Sequence, residues 1–277
     1  MGYARYLWHE ITHPHWGNYF YWLIAISLVV YLLEVAFPWR KNQPRVREDF
    51  GLDTFYMFFN FFLFSLVGYA AVSDLAVNAF KDLLATAFGI RNLVAINIAS
   101  TPVWVQFLIL FLVRDFIQWN VHRMLHRIPW LWKFHEVHHS VREMGYAAHL
   151  RYHFMDTIVY RTVEYIPLAM IGFGIQDFLL VHLFALSIGH LNHANIYLPL
   201  GPLQYLFNSP QMHIWHHSKE LPKGAYGVNY GISLSVWDYL FGTVWMPKNG
   251  RDIPLGFNGV DEYPHSFWQQ VLKPFKK

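Results

Sequence analysis

The sequence has no cysteine among its 277 residues, and only 14% of its residues are charged. The lack of cysteine excludes disulfides, thiolate-bound zinc and a cysteine nucleophile. Soluble globular domains carry about 25% charged residues, so the low charge is unusual for a water-soluble protein. The formal net charge of +3 is small and the basic residues are scattered, which argues against nucleic acid as a partner.

The sequence contains several long apolar runs, which predict an integral membrane protein. A helix needs about 20 apolar residues to cross the hydrocarbon core of a bilayer. The candidate spans are residues 19–37, 55–72 and 103–119, with a shorter pair at 158–174 and 178–189 that predicts a hairpin. Residues 73–101 are more polar and are predicted to lie at the membrane interface. We therefore expect an all-α fold, an integral membrane helical bundle with four to five membrane helices.

Lysine and arginine are distributed unevenly between the predicted loops. Sixteen lie in residues 39–49, 123–151 and 219–277, whereas Arg5, Lys81 and Arg91 lie on the opposite side. By the positive-inside rule the larger group faces the cytoplasm, together with the histidine motifs described next. The cysteine-free chain with no recognisable retention signal favours a bacterial inner membrane over the endoplasmic reticulum.

Histidine is unusually abundant, with 17 residues, and many of these form short motifs. The motifs with predicted ligands are H-x-x-x-H at residues 122–126, H-x-x-H-H at 135–139 and 213–217, and H-x-x-H at 190–193. On a helix, residues three and four apart share a face, so their imidazoles can reach a common metal. The predicted ligands are His122, His126, His135, His138, His139, His190, His193, His213, His216 and His217. The alternative, polar helix faces or solvated loops, would explain one motif but not three.

Ten imidazoles exceed what one ion accepts, so the count predicts two metal ions. Imidazole suits zinc, copper and iron alike, and spacing alone does not name the metal. Zinc has no redox chemistry, a structural zinc site uses four ligands, and a hydrolytic pair would normally have bridging carboxylates. The ring nitrogens turned away from the metals need hydrogen-bond acceptors. Candidate acceptors are Asp115, Glu136, Asp156 and Asp238, and His149 and His153 are predicted to line the site.

The order of these motifs resembles the fatty acid hydroxylase and sterol desaturase superfamily. The resembling segments are residues 115–126, 130–140, 150–153, 193–197, 208–217, 229–231 and 237–243. The third of these usually reads L-R-x-H-P, but Phe154 replaces the proline here. The resemblance covers residues 103–246, the predicted catalytic region. Residues 1–102 then form the N-terminal spans and interfacial segment, and residues 247–277 form a C-terminal cytoplasmic tail.

The resemblance implies a non-haem di-iron oxidoreductase that uses O₂ and two electrons. Its reaction would be hydroxylation or desaturation of a C–H bond, or ether cleavage, in a lipid such as a sterol or fatty acyl chain from the bilayer. No flavin, dinucleotide or haem motif is present, so an external reductase, ferredoxin or cytochrome is expected as electron donor. Zinc is expected as a substitute in purified protein. A metal-transporting membrane protein and a di-zinc membrane hydrolase remain alternatives.

Overall fold

A computed structural model describes residues 3–67, 77–89, 94, 98, 100–173 and 178–276. Over these ranges the chain forms eleven α-helices and no β-strand longer than an isolated bridge, which confirms the all-α prediction. The helices are α1 Tyr3–Thr12, α2 Tyr19–Ala36, α3 Phe50–Val67, α4 Val77–Phe88, α5 Val103–Arg127, α6 Pro129–His139, α7 Phe154–Met170, α8 Phe178–His193, α9 Pro210–His216, α10 Val236–Phe241 and α11 Phe267–Leu272. A 3₁₀ helix, Tyr146–Leu150, lies between α6 and α7.

Helix α2 is the one described helix that is long and apolar enough to cross a membrane by length and composition. The other predicted spans overlap α3, α5, α7 and α8. The end of the second predicted span, the hairpin turn at 174–177 and much of the predicted interfacial segment lie outside the described residues. Within that interfacial segment the structure places α4.

A sharp turn between α5 and α6 brings two histidine motifs together. Helix α5 ends at Arg127, and Pro129 is the first residue of α6. Proline is well tolerated there because the first helical residues have no intrahelical partner for their N–H groups. It also disfavours helical geometry in the preceding residue, and Ile128 is indeed extended at φ −95° and ψ 112°. A single extended residue therefore separates the two helices, next to the motifs of both.

Helix α9, which carries the last motif, is short and defined at its start by its sequence. The side chain of Ser209 accepts a hydrogen bond from the Met212 N–H, and Pro210 follows as the first helical residue. A serine cap satisfies one of the free N–H groups at a helix start. The seven-residue helix then ends at His216, with His217 directly after it.

A buried ion-pair network joins the loop before α3 to the segment after α6. The Arg151 guanidinium contacts Asp49 at 2.7 Å and Asp53 at 3.1 Å, and Asp53 also pairs with Arg47 at 2.8 Å. Arg151 further donates to the Ser140 hydroxyl at 2.9 Å. Breaking one partner of such a buried pair is costly, so the network holds the end of α6 against α3.

The C-terminal residues pack onto the helical core. Phe267 and Val271 of α11 lie in one hydrophobic cluster with Tyr56 of α3 and Val137 of α6. The ring of Phe267 is 4.9 Å from that of Tyr56 between centroids. The segment predicted to be a C-terminal cytoplasmic tail is therefore buried in part against α3 and against α6, which carries a histidine motif.

Candidate metal centre

Nine of the ten predicted ligands come together in two buried groups of imidazoles. The first cluster consists of His122, His126, His135, His139 and His216. The second cluster consists of His138, His193, His213 and His217. In each cluster, one ligand nitrogen of every member lies within 4.8 Å of those of the other members. Each of α5, α6, α8 and α9 carries cluster histidines in its last turn.

The ring nitrogens of the first cluster are divided between an outer and an inner set. The outer Nδ1 contacts are His122 to the Tyr230 carbonyl at 2.8 Å, His126 to the Tyr226 carbonyl at 3.3 Å, His216 to the Val228 carbonyl at 2.8 Å and His135 to Asp156 at 3.0 Å. The five Nε2 atoms are buried and have no hydrogen-bond partner in the described part of the chain. Buried polar atoms are rarely left unpaired, so five together fit a bound cation.

In the second cluster, the ring nitrogens of neighbouring histidines lie close to one another. His193 Nε2 is 3.3 Å from His138 Nε2 and 3.1 Å from His213 Nε2, and His217 Nε2 is 3.2 Å from His213 Nε2. Nitrogens bound at about 2.1 Å to one ion are roughly 3.0 to 3.4 Å apart in octahedral or tetrahedral geometry. On the outer side, the Nδ1 atoms of His138 and His193 contact backbone carbonyls, at 3.1 Å and 2.7 Å.

The two clusters are neighbours because each H-H pair is split between them. His139 belongs to the first cluster and His138 to the second, and the pair at 216 and 217 divides in the same way. Successive helical residues point about 100° apart, so adjacent histidines reach different centres. The rings of His139 and His217 stack across the two clusters, with centroids 4.5 Å apart. This arrangement accommodates two ions side by side.

Burial keeps these imidazoles neutral, which is the protonation state that binds metals. Desolvation by burial lowers the pKa of His138 to about 3. Burial, and then repulsion from protonated neighbouring rings, holds the pKa of His139 and that of His216 well below the usual value for histidine. A protonated ring has no lone pair to give, so these groups are ready to act as ligands at neutral pH.

Two predicted acceptors support the clusters in different ways. Asp156 accepts from His135 Nδ1, as an acceptor in this role should. Asp238 contacts no cluster histidine and instead accepts from the backbone N–H groups of Tyr230 at 2.9 Å and Gly231 at 2.7 Å. Because the Tyr230 carbonyl is hydrogen-bonded to His122, Asp238 acts on the first cluster through the backbone.

The other two carboxylates lie away from the imidazoles. Asp115 accepts from the Ser233 and Leu234 N–H groups at 3.2 and 3.3 Å, and from the Trp237 indole at 2.9 Å. Glu136 pairs with Lys273 at 2.6 Å. Their contacts tie α5 to the segment before α10, and α6 to the C-terminus. Neither contacts a cluster histidine.

The three remaining predicted histidines lie outside both clusters. His190 Nε2 is 2.9 Å from the Ser27 hydroxyl, and its Nδ1 is 2.8 Å from His149 Nδ1, so both ring nitrogens have protein partners. The His149 ring lies against that of His193, with centroids 5.2 Å apart. His153 Nε2 is hydrogen-bonded to the Val271 carbonyl at 3.0 Å. His149 lies beside the second cluster, and His153 holds the C-terminal helix.

The loop at residues 226–230 was missed as a functional element in the sequence. It supplies three of the carbonyls that orient the first cluster, and Asn229 holds it in place. Asn229 has a positive φ of 51°, which asparagine tolerates better than most residues. Its side chain donates to the Met212 and Trp245 carbonyls at 3.0 and 2.9 Å and accepts from the Trp245 N–H at 2.8 Å. The Asn-Tyr-Gly sequence is one of the segments that carry the family resemblance, but a sequence does not show that the neighbouring carbonyls orient histidine rings.

A cavity of about 180 Å³ reaches both clusters. His122 and His135 of the first cluster, and His138, His193 and His213 of the second, form one part of its wall. Leu150, Ala185, Leu186 and Ile232 give it an apolar surface. Pockets that enclose a drug-sized ligand have about 300–1,000 Å³. This cavity is smaller than such pockets.

Comparisons with known proteins agree with this geometry. Residues 107–243 match the family model for fatty acid hydroxylase. The ornithine lipid hydroxylase of Rhizobium tropici is 34% identical over 176 residues, which are 64% of this chain and 52% of that protein. The human alkylglycerol monooxygenase is 33% identical over 134 residues, 48% of this chain and 29% of that protein.

A more distant relative is the very-long-chain aldehyde decarbonylase of Oryza sativa subsp. indica, 26% identical over 141 residues, 47% of this chain and 21% of that protein. The chain thus spans about half the length of the first of these relatives and less than a third of the other two. No solved structure matches the chain. The matched region, residues 107–243, carries all nine cluster histidines, and this region belongs to the fatty acid hydroxylase family.

Proposed function

We propose that the protein is a membrane-bound, O₂-dependent non-haem di-iron enzyme that hydroxylates or desaturates a C–H bond of a lipid. One observation carries the proposal. Two adjacent, buried clusters of neutral imidazoles face a common cavity with apolar walls. The names of two relatives, an ornithine lipid hydroxylase and an alkylglycerol monooxygenase, support a lipid as substrate.

The proposed ligands of the first iron are the five histidines of the first cluster, and those of the second iron are the four of the second cluster. Two iron ions held there would supply the activation of O₂ for oxidising the substrate. The protein contributes the geometry. Asp156 and the carbonyls of residues 226–230 orient the first set of rings. The apolar part of the cavity wall would exclude water and hold a lipid segment beside both clusters.

The nature of the ligands favours iron over zinc. Nine neutral imidazoles are more than two structural zinc sites of four ligands would use, and none of the nine cluster members is a bridging carboxylate. A zinc pair would also have no use for electrons, whereas iron can exchange them with an external donor. A reductase, ferredoxin or cytochrome is the proposed donor.

The proposed setting is a bilayer, with α2 as one span and the remaining predicted spans beside it. The basic loops and both clusters would face the cytoplasm, since these loops hold most of the lysine and arginine. We propose the bacterial inner membrane. Residues 103–246 would form the catalytic region, and its lipid substrate would enter from the bilayer.

The test uses full-length protein purified in detergent from iron-supplied cells. We expect two irons per chain by elemental analysis, and an oxidised lipid that forms only when O₂ and a reductant are present. Lipid profiles of cells with and without the protein should identify that product by mass spectrometry. The His265→Ala variant, which changes a histidine outside both clusters, is the matched control and should behave as the unchanged protein.

Two results would contradict the proposal. Tightly bound zinc together with lipid hydrolysis in the absence of O₂ would contradict the di-iron proposal and favour a hydrolase. Full activity in a His138→Ala variant would contradict the ligand assignment.

A further inference from the structure

The cavity has a charged region in addition to the histidines. Arg114 of α5 lines it, and this side chain is only 6% exposed. Arg161 of α7 also lines it and is 44% exposed. Arg114 lies eight residues before His122 on the same helix, which corresponds to about 12 Å along the axis. A buried arginine in an otherwise apolar stretch is costly, and such residues in membrane helices commonly serve function.

The carboxylate next to these arginines is largely occupied by other donors. Glu164 accepts from the Gln118 amide at 2.5 Å through one oxygen, and from Arg161 at 3.2 Å through the other. Arg114 Nε is 3.7 Å from the second oxygen, which is beyond hydrogen-bond distance. This Nε atom is buried and makes no hydrogen bond within the described residues.

The two guanidinium groups of this region share one neighbouring carboxylate. Arg114 and Arg161 both lie next to Glu164. Asp156 also lines the cavity, but its carboxylate is hydrogen-bonded to the His135 ring at 3.0 Å. The nearest other acid along the chain, Asp115, is already hydrogen-bonded to two backbone N–H groups and the Trp237 indole. His182, which also lines the cavity, contacts Arg161 and brings no negative charge. An acidic group of a ligand would give the buried Arg114 Nε atom the acceptor that it lacks among the described residues.

We propose that the cavity binds a lipid with an acidic group, a carboxylate or a phosphate, and that Arg114 holds this group. Arginine suits both anions because its planar donors match their oxygens. The inference rests on the proposed function, since it takes this cavity as the substrate site. It also predicts where oxidation occurs. The attacked carbon lies at the histidines and is therefore remote from the acidic group, by roughly the 12 Å between the two ends of the site.

The test measures binding in the absence of O₂, so that no turnover is needed. Purified, detergent-solubilised protein is titrated with oleate, with oleoyl lysophosphatidic acid and with monoolein, which share one acyl chain and differ in the head group. We expect the unchanged protein to bind at least one of the two acids about ten- to hundredfold more tightly than neutral monoolein. Comparing the two acids distinguishes a carboxylate from a phosphate.

Variants test whether Arg114 causes the preference for an acidic head group. Arg114→Gln should lose the preference and still bind monoolein with unchanged affinity, whereas Arg114→Lys should keep part of it. Arg127→Gln, an exposed arginine on the same helix, is the matched control and should retain it. Glu164→Gln removes the competing carboxylate, so it should bind the preferred acid several-fold more tightly.

Equal affinity of the unchanged protein for all three lipids would overturn the proposal. A parallel loss of acid and monoolein binding in Arg114→Gln would also overturn it, because the arginine would then be structural. Iron content and activity, measured separately, test the proposed function. If the protein bound the acids more tightly than monoolein but contained no iron, only the proposed function would be contradicted. If it were an active di-iron enzyme that bound all three lipids equally, only this inference would be contradicted.

Discussion

The two histidine clusters are held in place in different ways. In the first cluster, three of the five rings are oriented by carbonyls of one loop, residues 226–230, and a fourth by Asp156. In the second cluster, three pairs of ring nitrogens lie 3.1 to 3.3 Å apart, and the rings come from three separate parts of the chain: α6, α8 and the α9 motif. Its two outer carbonyl contacts come from different places, since His193 contacts Gly189 of its own helix and His138 contacts Arg151. The first cluster therefore depends on loop conformation, and the second on the packing of helices.

The largest effect should come from removing one ligand in each cluster. We expect His216→Ala to lose the iron of the first cluster and His213→Ala to lose that of the second, with activity in both lowered to background. Each variant removes one of the nitrogens that face the centre. Elemental analysis should give about one iron per chain in each case. Loss of both irons in both variants would show that the two clusters load as one unit.

A smaller effect should follow from releasing the loop. Asn229→Ala removes three hydrogen bonds and places alanine at a positive φ, so we expect a loss of stability of about 2–4 kcal/mol. Asn229→Gly removes the same bonds but tolerates the backbone conformation, and it should lose less. Thermal unfolding in detergent gives the order. Iron loss confined to the second cluster would contradict the division between loop and helices.

The smallest effect should come from Asp156→Asn. The amide keeps the size of the side chain, but its oxygen is a weaker acceptor for His135 Nδ1–H. Changes to such acceptors lower metal affinity about 10- to 100-fold. We therefore expect weaker iron binding in the first cluster alone, measured by competition with a chelator, and an unchanged second cluster. Equal weakening of both clusters would show that Asp156 acts on their common packing.

The grouping of nine histidines could be predicted from sequence because helical spacing decides which histidines of one motif share a face. His193 was found by its place in a short motif, although its partners in the second cluster are far away in the chain. His190 has the same spacing from His193 but points to Ser27 and His149. Which side of α8 meets the cluster is decided by its packing on α2 and α9, and a single sequence does not contain that information.

The supporting contacts were harder to predict because most acceptors are backbone carbonyls. Side-chain acids were the visible candidates, yet only Asp156 contacts a cluster ring, while Asp238 fixes the backbone of Tyr230 instead. Any residue type can offer a carbonyl, so the sequence gives little sign of such a role. The all-α fold followed from the apolar runs. The packing of α11 on the core did not, since its six residues form a short, isolated pattern.

Four helices end at the clusters, with histidines in the last turn of each of α5, α6, α8 and α9. The peptide dipoles of a helix sum to roughly half a negative charge at its C-terminal end. Neutral imidazoles do not neutralise the positive charge of bound cations. The C-terminal ends of the four helices supply negative electrostatic potential at clusters that contain no carboxylate ligand. The backbone therefore favours cations at this point whichever metal binds. A variant that shortens one of these helices at its start would weaken that attraction without changing a histidine.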